Sequence, residues 1–439
     1  MSDGLIHKAS DLIGDRYRIK RYVGAGGMQE VYKARDELLA RDVALKVPKN
    51  HSASKRFQRS AIVSARVNHA NVAKTLDYLE DGATSYLIEE YVQGKDLGKV
   101  IKEDLPVIDP LLAALIFHHL AKGLAASHHA GVVHRDLKPS NIMAVGGSKL
   151  QEVKITDFGI AKMAEEELAE AVEGGDESLT ASQTAIGALP YMAPEMIKSM
   201  KDAGKHSDVW SLGAMMFELV AGNKPFGTGL KAVPAILGAK LPALPAILKA
   251  KQQFTPTGQE VYKLVTDCMR ADPAARPTAD ELIGRCEQFC YPTTEREFGA
   301  VSKFDNRYWG FIAPDKGKGI FFHIDSVYGD QRLKVGDRVW FARHQGGGND
   351  RAFRCDGQKL TDGVFSRSPS SIPPVFKNPS SQWMSYSPFW MSGVRTRVRK
   401  RGRVVSMPST TNSSRERRRR MRHSLRVRPC TMSLPTRES

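Results

Sequence analysis

The sequence predicts an α+β chain in four parts: a short leader over residues 1–15, a large mixed domain over 16–290, a small β domain over 296–358 and a disordered basic tail over 359–439. Three observations carry this division. An alternating strand, Tyr17–Val23, runs into a glycine-rich turn and is followed by long apolar stretches such as Leu111–Leu120. Short aromatic-rich strands with turn residues between them recur from Gly299 to Phe341, which suggests a small barrel. Beyond residue 359 the chain is rich in Ser, Pro and Arg with little apolar periodicity. Such a segment buries too little surface to offset chain entropy.

The formal net charge of +17 is unevenly spread. Residues 391–439 hold fifteen Lys/Arg against two acidic residues, or +13, which leaves +4 for everything before them. The basic character therefore belongs to the tail, which reads either as a flexible segment with no specific role or as a contact for nucleic acid or another anionic surface. The five cysteines form no CxxC pair and read as reduced thiols, which points to a cytoplasmic protein. No apolar run reaches the roughly 20 residues that span a bilayer. Leu111–Leu120 is interrupted by His118 and His119 and reads as a buried helix, and Pro234, Pro242 and Pro245 break the stretch at 230–249. The N-terminus has no signal-peptide pattern.

The densest chemical signal lies in the middle of the large domain. His134-Arg135-Asp136-Leu137-Lys138-Pro139-Ser140-Asn141 is followed sixteen residues later by Asp157-Phe158-Gly159. One carboxylate stands beside a lysine, followed by an asparagine and a second carboxylate. Phosphoryl transfer needs that set: a group to orient an attacking hydroxyl, a cation near the moving phosphoryl and two oxygen ligands for magnesium. The stretch resembles the catalytic core of Ser/Thr protein kinases, and further motifs of that family flank it in order. The resemblance implies a two-lobed protein kinase fold, with ATP and Mg2+ as cofactors and protein Ser/Thr hydroxyls as substrates. Asp136 would orient the hydroxyl, Lys138 would stabilise the γ-phosphoryl charge, and Asn141 and Asp157 would hold the metal.

The nucleotide end follows the same resemblance. Gly24-Ala25-Gly26-Gly27-Met28-Gln29-Glu30-Val31 looks like the family's glycine-rich loop, whose small residues let backbone amides approach phosphates. Val43-Ala44-Leu45-Lys46 looks like the strand that carries the phosphate-binding lysine. By this resemblance the ATP site comprises Val23, Gly24, Ala25, Gly26, Val31, Ala44, Lys46, Glu89, Glu90, Val92 and Met143. Gln29 replaces the family's third glycine and is expected to stiffen the hairpin tip.

Two departures are larger. The family pairs its lysine with a helix glutamate, yet that position holds Ser60, and no Asp or Glu lies between Asp42 and Asp77. In Tyr86-Leu87-Ile88-Glu89-Glu90, a carboxylate, Glu89, takes the normally apolar position at the back of the adenine pocket. A buried acid is costly unless paired, so Glu89 is expected to replace the missing glutamate and pair with Lys46.

Toward the substrate end, Arg135 could pair with a phosphate on the activation segment 157–195, with Thr184 the first candidate site and Thr180 the second. Ala188 stands where Ser/Thr kinases usually place a threonine. Glu195 and Arg276 resemble the family's structural ion pair, and Asp208 resembles the start of its buried helix.

The segments Gly299–Phe304, Tyr308–Asp315, Ile320–Ile324 and Leu333–Phe341 resemble a cold-shock domain, a five-stranded OB-type barrel. The family stacks aromatics on unpaired bases, and the matching positions are Trp309, Phe311, Phe321 and His323. Their period-two spacing suits one open face, with Ile312 and Phe322 on the buried one. Lys303, Arg307 and Arg343 would contact phosphates. Lys303 and Tyr308 depart from the family pattern.

The combined expectation is a cytoplasmic Ser/Thr kinase carrying a domain that binds single-stranded RNA or DNA. Ser60, Glu89 and Ala188 leave open a nucleotide-binding pseudokinase scaffold. A third reading is an RNA chaperone with a regulatory kinase-like domain.

Overall fold

The computed structural model describes residues 5–25, 29–49, 54–158, 187–289, 291, 294–305, 308–329, 333–344 and 350–357. Gly26, Thr180, Thr184, Arg307 and the tail 359–439 lie outside them.

The first lobe is one antiparallel sheet. Its strands are β1 (Leu12–Ile13), β2 (Tyr17–Ala25), β3 (Gln29–Asp36), β4 (Arg41–Pro48), β5 (Thr75–Asp81) and β6 (Thr84–Glu90), in the order β1-β2-β3-β4-β6-β5. Alternate residues point to one side, so Tyr17, Ile19, Tyr32, Ala34, Val43, Leu45, Tyr86 and Ile88 form a single apolar cluster. Helix α1 (Ser54–Ser64) packs Phe57 and Ala61 against Leu87 of β6. Ser60 lies on α1.

The second lobe is helical. Its helices include α2 (Pro110–His129), α3 (Pro194–Lys198), α4 (Lys205–Ala221), α5 (Thr255–Cys268) and α6 (Ala279–Cys286), with a small sheet of β7 (Gly94–Asp96), β8 (Ile142–Val145) and β9 (Glu152–Ile155). Asp109 caps α2 by accepting from the Leu111 and Leu112 amides at 3.0 and 3.1 Å, and Pro110 fits the first turn, where no amide donor is needed. Helix α2 is long and apolar enough to cross a membrane, but 78% of its apolar window is buried inside the lobe. It is the buried helix expected at Leu111–Leu120. Burial lowers the pKa of His119 to about 4. Cys268 and Cys286 are free and buried, and burial raises the thiol of Cys286 to about 12.

The third part is a barrel of β10 (Arg296–Asp305), β11 (Trp309–Pro314), β12 (Ile320–His323), β13 (Val327–Tyr328), β14 (Arg338–His344) and β15 (Arg351–Gly357). Strand order is β12-β11-β10-β14-β15-β13, and a β12–β15 pairing closes it. The sixth strand, β13, is only two residues long, too short to leave a periodic signal in the sequence.

The barrel packs directly on the helical lobe, and all described residues belong to one compact unit. Tyr328 and Trp340 of the barrel join the apolar core that contains α2, α4 and α5. The Tyr328 ring meets Phe254 edge-on at 5.2 Å, and its hydroxyl donates to the Val220 carbonyl at 3.4 Å. Arg296, 3% exposed, donates to Asp109, 0% exposed. Asp109 thus caps α2 and anchors the barrel at once.

Candidate active site and nucleic-acid face

Lys46 stands on β4 opposite Leu87 of β6, and Glu89 stands two residues further along β6, opposite Ala44. A two-residue offset on neighbouring strands puts both side chains on one face of the sheet. The Lys46 ammonium lies 2.5 Å from Glu89 Oε2 and 2.8 Å from Asp157 Oδ1, with Lys46 and Glu89 each 4% exposed. The expected pair is present. Burial works against the Lys46 charge, but Asp157 and Glu89 outweigh it and hold its pKa above the ordinary lysine value. Burial raises the Glu89 carboxyl against the pull of Lys46. Asp157 goes the other way: burial opposes its charge, but Lys46 and the Thr156 hydroxyl hold its carboxyl below the usual range.

Gln29 does something the sequence reading missed. Instead of merely stiffening a hairpin tip, its side-chain amide donates to Asp157 Oδ1 at 2.9 Å. Its carbonyl oxygen is buried with no partner among the described residues. The glycine-rich hairpin is therefore tied to the metal-ligand candidate by a residue where the family has no side chain.

The loop after α2 is fixed from below. Asp208, at the start of α4, accepts from the His134 amide at 2.8 Å and the Arg135 amide at 2.7 Å, while His128 sits 2.9 Å from the same carboxylate. Arg135 takes φ +67°, and these two bonds hold that unfavourable backbone. Above it, Asp136 Oδ2 accepts from Asn141 at 3.0 Å and lies 2.8 Å from Lys138 Nζ. Asn141 also donates to the Asp136 carbonyl at 2.7 Å. Thr156 ties this cluster to Asp157. Its amide donates to the Asn141 carbonyl at 2.9 Å and its hydroxyl lies 3.1 Å from Asp157 Oδ2. Asp136, Lys138, Asn141, Asp157 and Lys46 thus form one continuous set of contacts.

Other expected positions fall into two groups. Val31, Ala44 and Met143 are half-buried, and Val92 is 9% exposed. Val23 and Ala25 are exposed, and Gly24 between them is half-buried. Glu90 pairs through its side chain with Lys154 at 2.9 Å. Ala188 is buried and starts the turn Leu189–Tyr191 without a hydroxyl. Glu195 and Arg276 form a two-pronged pair at 2.6 and 2.8 Å, and Arg276 lies over Trp210 at 4.9 Å.

On the barrel, register pairs Trp309 with His323 and Phe311 with Phe321. Trp309 and Phe321 are near-parallel at 6.0 Å, and Phe311 meets Phe321 edge-on at 5.9 Å. Phe311 is 37% exposed, while Ile312 and Phe322 are fully buried. The four residues form one platform, with Tyr308, 65% exposed, beside it. Lys303 is exposed and pairs in register with Phe311. Arg343 departs from expectation: it is engaged by Glu297 at 2.8 and 3.0 Å and by Asp350 at 3.5 Å. β10 and β14 run side by side, which the sequence alone did not reveal. Arg351, not anticipated, lies over the Phe321 ring at 5.8 Å.

Comparison with known proteins agrees with this geometry. The protein kinase domain model matches residues 17–285, and the cold-shock DNA-binding domain model matches residues 297–356. The chain is 38% identical over 226 residues to a probable serine/threonine-protein kinase PknB of Corynebacterium glutamicum, covering 49% of this chain and 33% of that protein. Against the serine/threonine-protein kinase PknB of Mycolicibacterium smegmatis it is 36% identical over 223 residues, covering 49% and 34%. With the serine/threonine-protein kinase PknA of Mycobacterium tuberculosis it shares 37% over 225 residues, covering 49% of this chain and 48% of that one. The matched region spans between a third and a half of these relatives.

Proposed function

We propose, for a chain that belongs to the protein kinase family, that it transfers the γ-phosphoryl group of ATP to serine or threonine hydroxyls of proteins. The observation that carries this reading is the single cluster of Lys46, Asp157, Asn141, Asp136 and Lys138. In the proposed reaction Asp136 accepts a hydrogen bond from the attacking hydroxyl and takes its proton as the new O–P bond forms. The bond between the γ-phosphorus and the β–γ bridging oxygen breaks, and ADP leaves with that oxygen. Lys138, beside Asp136, offsets charge on the γ-phosphoryl oxygens. Lys46 binds the α- and β-phosphates, held from behind by Glu89.

Asn141 and Asp157 offer hard oxygen donors, with Asp157 kept ionised, and this set fits a magnesium ion. When bound, that ion neutralises charge on the β- and γ-phosphates. A groove beside Lys138, lined by Ser140, Gly187, Tyr191 and Glu218, is where a substrate segment would lie. Asp136→Ala, compared with wild type for autophosphorylation with mass-spectrometric mapping, tests the reading. Equal signals would instead favour a nucleotide-binding scaffold.

For the barrel we propose single-stranded RNA or DNA as ligand, with bases stacked on Trp309, Phe311, Phe321 and His323. Lys303 and Arg351 would serve the phosphates. Trp309→Ala combined with Phe321→Ala should abolish binding to a labelled single strand, and undiminished binding would overturn the assignment. A cytoplasmic location, in keeping with the buried free thiols, and an anionic partner for residues 391–439 complete the proposal.

A further inference from the structure

We propose that the single-strand surface does not end at the barrel but continues across the seam onto the helical lobe, where Lys251 and Lys249 take backbone phosphates. This rests on the reading of the barrel as a single-strand binder. The placement comes from the docking. His323 closes the aromatic platform, and the chain turns directly into Ile324 and Asp325. The Ile324 carbonyl accepts from Lys251 Nζ at 3.2 Å, and the Asp325 carbonyl accepts from Gln253. Lys251 and Gln253 of the kinase lobe therefore lie against the rim of the platform, with Lys249 two residues before Lys251 in the chain. An ammonium carries three donors, and the carbonyl takes one. Lys251 is half-buried, and Lys249 and Gln253 are exposed.

Charge on the other rim is similar. Arg351 lies over Phe321 at 5.8 Å, so cations flank the aromatic row on two sides. One acid beside them is Asp325, 71% exposed, which lies 3.2 Å from His323 Nδ1. The platform offers four side chains, whereas OB-type barrels cover about 4–16 nucleotides. A longer strand must run past a rim, and the kinase-lobe rim is basic.

The test uses the full chain and a labelled oligothymidylate of about 20 nucleotides, followed by fluorescence anisotropy across a salt series. On single strands each phosphate contact adds about 0.7 to the salt slope. Lys249→Gln and Lys251→Gln are each expected to lower the slope by about 0.7 at unchanged melting temperature. Asp325→Asn should tighten binding about twofold to threefold. An oligomer of about four nucleotides, which the platform alone accommodates, should bind both lysine variants like wild type. Lys20→Gln, on β2 of the first lobe, should change nothing. Unchanged slopes for both lysine variants would overturn the proposal. So would a lowered slope seen only where the melting temperature also falls, because undocking would then explain it. Trp309→Ala with Phe321→Ala separates the two claims. If that variant loses binding while the lysine variants keep theirs, the barrel reading stands and the extension falls.

Discussion

Replacing Glu89 by leucine should leave the protein folded and cripple the proposed phosphoryl transfer. Lys46 has two carboxylates within 2.8 Å, Glu89 and Asp157. Removing one does not orphan the buried ammonium, because Asp157 remains. The cost should therefore fall well below the roughly 3–5 kcal/mol of breaking an isolated buried pair. Leucine also escapes the desolvation that raises the Glu89 carboxyl. We expect a net stability change within about 1.5 kcal/mol, of either sign. Catalysis is different. When Asp157 serves a metal, Glu89 is the partner left to aim Lys46 at the phosphates. A misplacement of about 1 Å can cost about 100-fold, or roughly 2.7 kcal/mol of transition-state stabilisation. The assay is radiolabelled phosphoryl transfer at saturating ATP, read with thermal melting on the same samples. A kcat within twofold of wild type would refute the reasoning. So would a large drop in melting temperature that accounts for the whole loss of activity.

Further outcomes follow from other contacts. Gln29→Gly removes the bond to Asp157 that nucleotide and metal must displace. With that bond to a charged group worth about 1.5 kcal/mol, ATP affinity measured by calorimetry should rise about tenfold. Arg276→Ala leaves Glu195 half-buried without its cation and should cost about 3 kcal/mol in urea unfolding. Burial opposes the Glu195 charge, but Arg276 and Ser207 hold its folded pKa below the unfolded value. Its stabilisation is therefore complete above about pH 4.3 and is lost as pH falls through the folded value. The Arg276→Ala variant should show a shallower acid limb. Arg296→Ala strands Asp109 at the seam and should cost about 3–5 kcal/mol, lowering the melting of lobe and barrel together. Two separate transitions with the lobe unchanged would refute that coupling.

The catalytic loop was legible because its chemistry is local: Asp136, Lys138 and Asn141 lie within six residues, and phosphoryl transfer fixes their types. Glu89 was legible because the family resemblance puts its position at the back of the adenine pocket, the usual helix glutamate is replaced by Ser60, and a buried acid needs a cation. The platform was legible because strand alternation puts Trp309 and Phe311 on one face. Long-range contacts between polar groups were not. Gln29 reaches Asp157 across 128 residues, and Arg296 reaches Asp109 across 187, with no periodicity to announce either. Arg343 looked like a phosphate ligand until the β10–β14 pairing set Glu297 beside it. Arg351 went unnoticed for the same reason: only the β12–β15 pairing brings it to Phe321.

The central claim is that one cleft joining Lys46, Asp157, Asn141, Asp136 and Lys138 moves a phosphoryl group. Its most direct measurement is phosphate incorporation into the full chain with Mg2+ and ATP, in wild type and Asp136→Asn at equal folded concentration. Wild type should gain phosphoserine or phosphothreonine, and the variant should lose at least about 100-fold of that incorporation. Equal incorporation in the two, or none in a folded wild type that binds ATP, would contradict the claim.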